Sequence, residues 1–130
     1  MTKILVGTDR SETATRAVRW AVEMAERYGA ELLVTQSVRA GMDRATVERE
    51  LRSYTQDVAG PAARAIVREG GDPARHMVEI ADEEGADVLV VGSVGMSGRK
   101  EFLLDNIPNR VSHLARCTVV IVRTQTEDGK

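Results

Sequence analysis

Apolar residues in this chain recur at two different spacings. Unbroken runs appear at Ile4-Leu5-Val6, Leu32-Leu33-Val34, Val88-Leu89-Val90-Val91 and Val119-Val120-Ile121-Val122. Runs this short, without polar alternation, predict strands covered on both faces. Between them the apolar residues fall at i, i+3, i+4 and i+7, the spacing of a helix with one buried face. The first strand is expected over Lys3 to Thr8. Ser11 then caps a helix whose stripe carries Ala14, Ala17, Val18, Ala21, Val22, Ala25 and Tyr28, and Gly29 stops it. Trp20 lies off that stripe and is expected as a flanking contact.

The second strand is read over Glu31 to Val38. A helix follows from about Arg44 to Ala59, with Val47, Leu51, Tyr54 and Val58 on a narrow stripe and charge elsewhere, so it should cover an edge of the sheet. Gly60-Pro61 breaks it. Ala63 to Arg68 is a weaker strand whose arginines point to an exposed edge. Asp72 and Pro73 start a third helix, with Ala74, Met77, Val78 and Ala81 inward, and Gly85 ends it. A strand over Asp87 to Val91 runs into glycines. A last helix from about Asn106 to Arg116 packs Ile107, Val111, Leu114 and Ala115, and Thr118 to Val122 is the final strand. The polar stretch from Thr124 to Lys130 is expected to fray.

Strands and helices therefore alternate strictly. This is an α/β pattern: a five-stranded parallel sheet with helices on both faces, joined by right-handed crossovers. The expectation is a single domain over residues 1–130. Ligands of such sheets bind beyond the carboxyl ends of the strands, at the switch point. If the first and fourth strands are neighbours, Thr8, Asp9 and Gly92 to Gly95 meet there.

Charge and composition narrow the partners. The net charge is −2, with both signs interspersed and no basic stripe, so nucleic acid is not expected. The apolar runs are too short for a membrane span. The first strand starts within three residues of Met1, which leaves no room for a signal peptide. The single cysteine, Cys117, allows no internal disulfide and suits a reducing cytoplasm. It is read as a small buried residue. His76 and His113 lack metal-ligand spacing and are read as helix-surface residues.

The segment Gly92-Ser93-Val94-Gly95-Met96-Ser97-Gly98-Arg99-Lys100 carries the chemistry. Glycines between a strand and a helix let backbone amides converge on a phosphate, and Ser93, Ser97, Arg99 and Lys100 add donors and positive charge. The same glycines also serve a tight strand–helix connection. Asp9 can accept a ribose hydroxyl or help hold magnesium; it can equally be a helix-start residue favoured by the dipole. No nucleophile with a positioned base can be assembled and no P-loop lysine is present, so catalysis is not expected. The first strand's turn, Gly7-Thr8-Asp9-Arg10-Ser11, lacks the glycines of a dinucleotide-binding dehydrogenase.

The opening KILVGTDRSETATRAVRWAVEMA and the segment ADVLVVGSVGMSGRKEFLLDNIPNRVSHLARCTVVIV resemble the universal stress protein family, ATP-binding type, over nearly the whole chain. The resemblance implies strand order 3-2-1-4-5, an adenine nucleotide alpha hydrolase-like, Rossmann-like sheet. It implies a homodimer through the last strand, Val119 to Val122. It places Thr8 and Asp9 beside the ribose and phosphates, with Asp9 near any phosphate-bound Mg2+. It gives Ser37 backbone contacts to adenine. Gly92, Ser93, Gly95 and Met96 would line ribose and phosphates, and the amides of Asn106 and Ile107 would meet the distal phosphates. The implied ligand is ATP, with AMP and cyclic AMP as alternatives, in a stress or signalling module acting on an unknown protein partner.

One departure has a physical consequence. The family pattern spaces a final glycine and hydroxyl after Gly92 and Gly95; here those positions are Asp105 and Asn106. A carboxylate about 5 Å from a phosphate costs roughly 3 kcal/mol at an effective dielectric near 20. Uncompensated, that is about two decades of affinity. Arg99, Lys100 and magnesium oppose it. The competing reading is a dimeric interaction protein of the same fold that binds no nucleotide.

Overall fold

Five parallel strands lie in the order β3-β2-β1-β4-β5. They come from a computed structural model that describes residues 1–93 and 107–123. The elements are β1 (Lys3–Gly7), α1 (Glu12–Tyr28), β2 (Glu31–Val38), α2 (Arg44–Ala59), β3 (Arg64–Glu69), α3 (Pro73–Glu84), β4 (Val88–Gly92), α4 (Ile107–Leu114) and β5 (Thr118–Val122). The expected fold class and strand order are both present.

Local chemistry explains the helix ends. Ser11 caps α1 by accepting the Ala14 amide, and Asp72 caps α3 by accepting the Arg75 amide, with Pro73 at the first helical position. Gly29 and Gly85 close the two helices in the left-handed conformation, at φ 63° and 71°. Asp43 does for α2 what Ser11 does for α1, accepting from the Thr46 amide.

Strand alternation divides the core in two. Ile4, Val6, Leu32, Val34, Val88 and Val90 face α1 and α2. Leu5, Leu33, Leu89 and Val91 face α3 and α4. The central strands are thus buried on both sides, which is why they read as continuous apolar runs. Trp20 flanks the first cluster, as expected, and Cys117 flanks the second. Arg64 and Arg68 lie on the β3 edge. There Arg64 pairs with Glu31 and Glu84, and Arg68 with Glu83.

Several expectations are corrected. Tyr28 is not on the buried stripe of α1; it is 59% exposed, three residues beyond Ala25, the last buried position of the helix. Leu114 ends α4 at 37% exposure instead of packing. Ile80 is fully buried and was not among the expected inward residues of α3. α2 buries Thr55 beside Val47 and Leu51, and Tyr54 and Val58 only flank the core. β3 starts one residue later than read, at Arg64.

Candidate functional site

The carboxyl ends of β1 and β2 open into a hollow of about 200 Å³. It is lined by Gly7 of β1 and Thr8 to Arg10 of the turn after it, Thr35 to Ser37 from β2, Arg39 and Met42 from the following loop, and Pro73 and Met77 from α3. The β1 ladder reaches it through the Thr8 amide, which donates to the Thr35 carbonyl at 2.9 Å.

The turn from β1 to α1 is held by its own side chains. The Thr8 hydroxyl oxygen accepts the Arg10 amide at 2.9 Å, and Asp9 Oδ1 accepts the Ser11 amide at 2.9 Å. Both are two-residue side-chain turns, and they fold the chain back on itself before the helix begins. Arg10 stands at φ 68°, the only non-glycine residue at positive φ among those described. Its guanidinium donates through Nε to Gln36 Oε1 and through Nη2 to Glu50 Oε1, each at 2.9 Å. Arg10 thereby ties the β1 turn to β2 and α2 on one side of the hollow. Arg39 adds a second positive charge, and among the described residues no carboxylate pairs with it.

On the opposite face of the sheet, the Ser37 hydroxyl and His76 Nδ1 lie 2.8 Å apart. His76 is half-buried on α3, one turn from Pro73 and beside Met77. It lies at the helix surface, as expected, with Ser37 as its partner. Next to it, Asp72 binds both arms of Arg110 on α4, at 2.6 and 2.8 Å. That guanidinium holds the Asp72 carboxyl below the ordinary carboxylate value. Burial pushes the Cys117 thiol up, consistent with an unreactive flanking residue.

Of the expected site residues, Thr8, Asp9 and Ser37 line the hollow together. Gly92 ends β4 beside β1; the register Ile4↔Val88 to Val6↔Val90, carried forward, sets it level with Thr8. Ser93 follows, its amide donating to the Val122 carbonyl at 2.8 Å. Ile107 opens α4 with its side chain in the core, so only its backbone is available to a ligand. Gly92, Ser93 and Ile107 are not among the hollow's described lining residues. Gly95, Met96 and Asn106, together with Val94, Gly98, Arg99, Lys100, Asp105 and the stretch from Thr124, lie outside the described residues.

Arg10, Gln36, Arg39, Met42 and His76 are the site residues that sequence reading passed over. Gln36 carried a signal, being a polar residue inside an apolar strand and only 5% exposed. Among the described residues no group of three or more His, Cys, Asp or Glu side chains could hold a metal ion. Among them, too, no helix is long and apolar enough to cross a membrane.

Comparison with known proteins matches residues 1–123 to a model of the universal stress protein family. Universal stress protein YxiE of Bacillus subtilis is 32% identical over 145 residues, covering 93% of this chain and 98% of that protein. Universal stress protein Rv1636 of Mycobacterium tuberculosis is 32% identical over 143 residues, covering 93% and 95%. Among solved structures, a universal stress protein in complex with cAMP superposes with a TM-score of 0.76 at 31% identity, covering 95% of this chain and 98% of that one.

Proposed function

The chain belongs to the universal stress protein family, and from that premise we propose that it binds an adenine nucleotide in the hollow at the ends of β1 and β2. The observation that carries this reading is the convergence of Thr8, Asp9 and Ser37, at the ends of two strands, on one hollow. Its walls suit a nucleoside. Met42, Pro73 and Met77 offer apolar surface to a flat base, and Thr8, Asp9 and Ser37 offer polar atoms to its edges and to a sugar. Arg39, which no described carboxylate pairs, supplies positive charge for an anion. The relative that is 31% identical was crystallised with cAMP, which supports an adenylate as the ligand class.

ATP is the ligand we favour over AMP and cAMP, because Gly92 stands level with Thr8, with Ser93 one residue on, at the end of β4 beside the hollow. Magnesium would enter with the phosphates. Asp9 keeps one carboxylate oxygen beyond the one that accepts the Ser11 amide, and Mg2+ in phosphate sites commonly takes only one or two carboxylates. The protein then acts as a signalling module whose partner contacts follow occupancy, and not as an enzyme. It pairs with a second copy through β5, whose outer edge is unpaired among the described residues and whose Ile121 is 48% exposed.

Isothermal titration and thermal shift of the purified protein with Mg-ATP, AMP and cAMP test the reading. Saturable heat and a raised Tm are expected, since ligand at a hundred times its Kd adds about 2.7 kcal/mol to stability. Neither heat nor shift at millimolar ligand would overturn it. Asp9→Asn should weaken Mg-ATP more than cAMP, because it removes a charge that matters only where magnesium is present.

A further inference from the structure

We infer that Ser37 and His76 form a base-reading pair, with His76 as the positioning residue that makes the Ser37 hydroxyl select a base with an exocyclic amine. This rests on the adenine-nucleotide reading above and names the residues that give it base selectivity.

The geometry comes from three elements. Ser37 sits at the end of β2 with its side chain on the α3 face of the sheet, where its oxygen lies 2.8 Å from His76 Nδ1. Pro73 and Met77 of α3 flank it in the hollow, and Met42 lies across from them. Adjacent strands are about 4.8 Å apart, so the end of β2 stands roughly 10 Å from the end of β4. A nucleotide laid across the strand ends with its phosphates toward Gly92 therefore brings its base over β2, against Ser37.

A serine hydroxyl has one proton and two lone pairs. The pair reads a base in the tautomer that carries the imidazole proton on Nε2: Nδ1 then accepts, and Ser37 gives it its single proton. What remains for a ligand is an oxygen that can only accept. The 6-amino group of adenine donates to such an oxygen. The 6-oxo group of hypoxanthine sets an acceptor against an acceptor, and a buried mismatch of that kind discriminates far more strongly than a shape difference. The expectation that adenine is met by backbone groups alone at Ser37 is thereby extended to its side chain.

The test compares ATP with ITP, which differ only at the 6-position of the base and the N1 proton that goes with it, by titration calorimetry on the full chain. Wild type should prefer ATP by about tenfold or more, the worth of one hydrogen bond. Ser37→Ala and His76→Phe should bring the two affinities to within about threefold. The Phe variant frees the hydroxyl to turn and donate. His76→Asn, whose Oδ1 can accept where Nδ1 did, should restore most of the preference. A merely structural role for His76 would weaken both nucleotides together and leave their ratio alone. Equal binding of ATP and ITP by wild type overturns the inference while leaving the nucleotide site standing, as does a ratio that survives Ser37→Ala. Binding of neither nucleotide overturns both readings.

Discussion

Asp72 accepts both arms of the Arg110 guanidinium, at 2.6 and 2.8 Å, while the same carboxylate caps α3 through the Arg75 amide. One side chain thus starts the helix that flanks the hollow and pins α4 against it. The pair is about one-third exposed, so its worth is that of a good surface bridge and not of a buried one.

The first prediction separates these two roles. Asp72→Asn keeps a capping oxygen and removes the charge, and should cost about 0.5–1 kcal/mol at pH 7. Asp72→Ala removes both and should cost about 1–2 kcal/mol. Arg110 holds the folded carboxyl below its ordinary value of 3.8. The charge contribution is therefore present above the unfolded carboxylate value and lost as pH falls through the lowered, folded one. Urea unfolding of wild type and Asp72→Asn should converge on acidification; a gap that is unchanged at pH 3 would show that the ion pair contributes nothing.

Thr55 gives the second. It is 2% exposed in the middle of α2, and its hydroxyl has no hydrogen-bond partner among the described residues. A buried hydroxyl without an acceptor carries a desolvation cost that an isosteric methyl does not. Thr55→Val should stabilise the protein by about 1 kcal/mol, read as a rise in the denaturation midpoint with an unchanged m-value. A loss of stability would mean that the hydroxyl is satisfied after all.

The third concerns Arg10. Its backbone lies at φ 68°, where an L-residue costs about 1–2 kcal/mol, and its guanidinium bonds Gln36 and Glu50. Arg10→Ala loses the bonds and keeps the strain. Arg10→Gly loses the bonds and relieves it, at some cost from a more flexible unfolded chain. Glycine should therefore be more stable than alanine by about 0.5–1 kcal/mol, and both variants should bind ATP more weakly than wild type. Alanine equal to glycine in stability would show that the turn relaxes once the side chain is gone.

The features that could be read ahead of the structure are those that depend on neighbours in sequence. Ser11, Asp72, Gly29 and Gly85 act within one turn of their own helices, so type and position sufficed. The apolar runs of β1, β2 and β4 declared burial on both faces by themselves. Tyr28 and Leu114 kept the period of a buried stripe but are the last residues of their helices and are exposed. Ser37 with His76, and Arg10 with Gln36 and Glu50, depend on how α3 and α2 are seated across β2. No spacing along the chain encodes that seating. Thr8 and Asp9 were placed at the strand-end crevice by topology and Ser37 by the family resemblance, and the three line one hollow. The candidate site was not legible where helix docking decides which side chains meet.

The β5 edge supplies the last prediction. Val119 faces the α3 and α4 side and Val120 and Val122 the α1 and α2 side, each only half-buried. Ile121 shares the Val119 face of the strand and is 48% exposed. No charge, proline or bulge protects this strand from another chain, in contrast to β3 at the opposite edge with Arg64 and Arg68. Two copies meeting there would bury the apolar surface of both. Light scattering after gel filtration should give wild type twice the chain mass of 14.2 kDa. Ile121→Lys places a charge in the contact and should return the protein to a single chain without altering its circular dichroism. Wild type eluting as one chain at micromolar concentration would remove β5 as a dimer surface. A dimer that survives Ile121→Lys would move the contact elsewhere on the molecule.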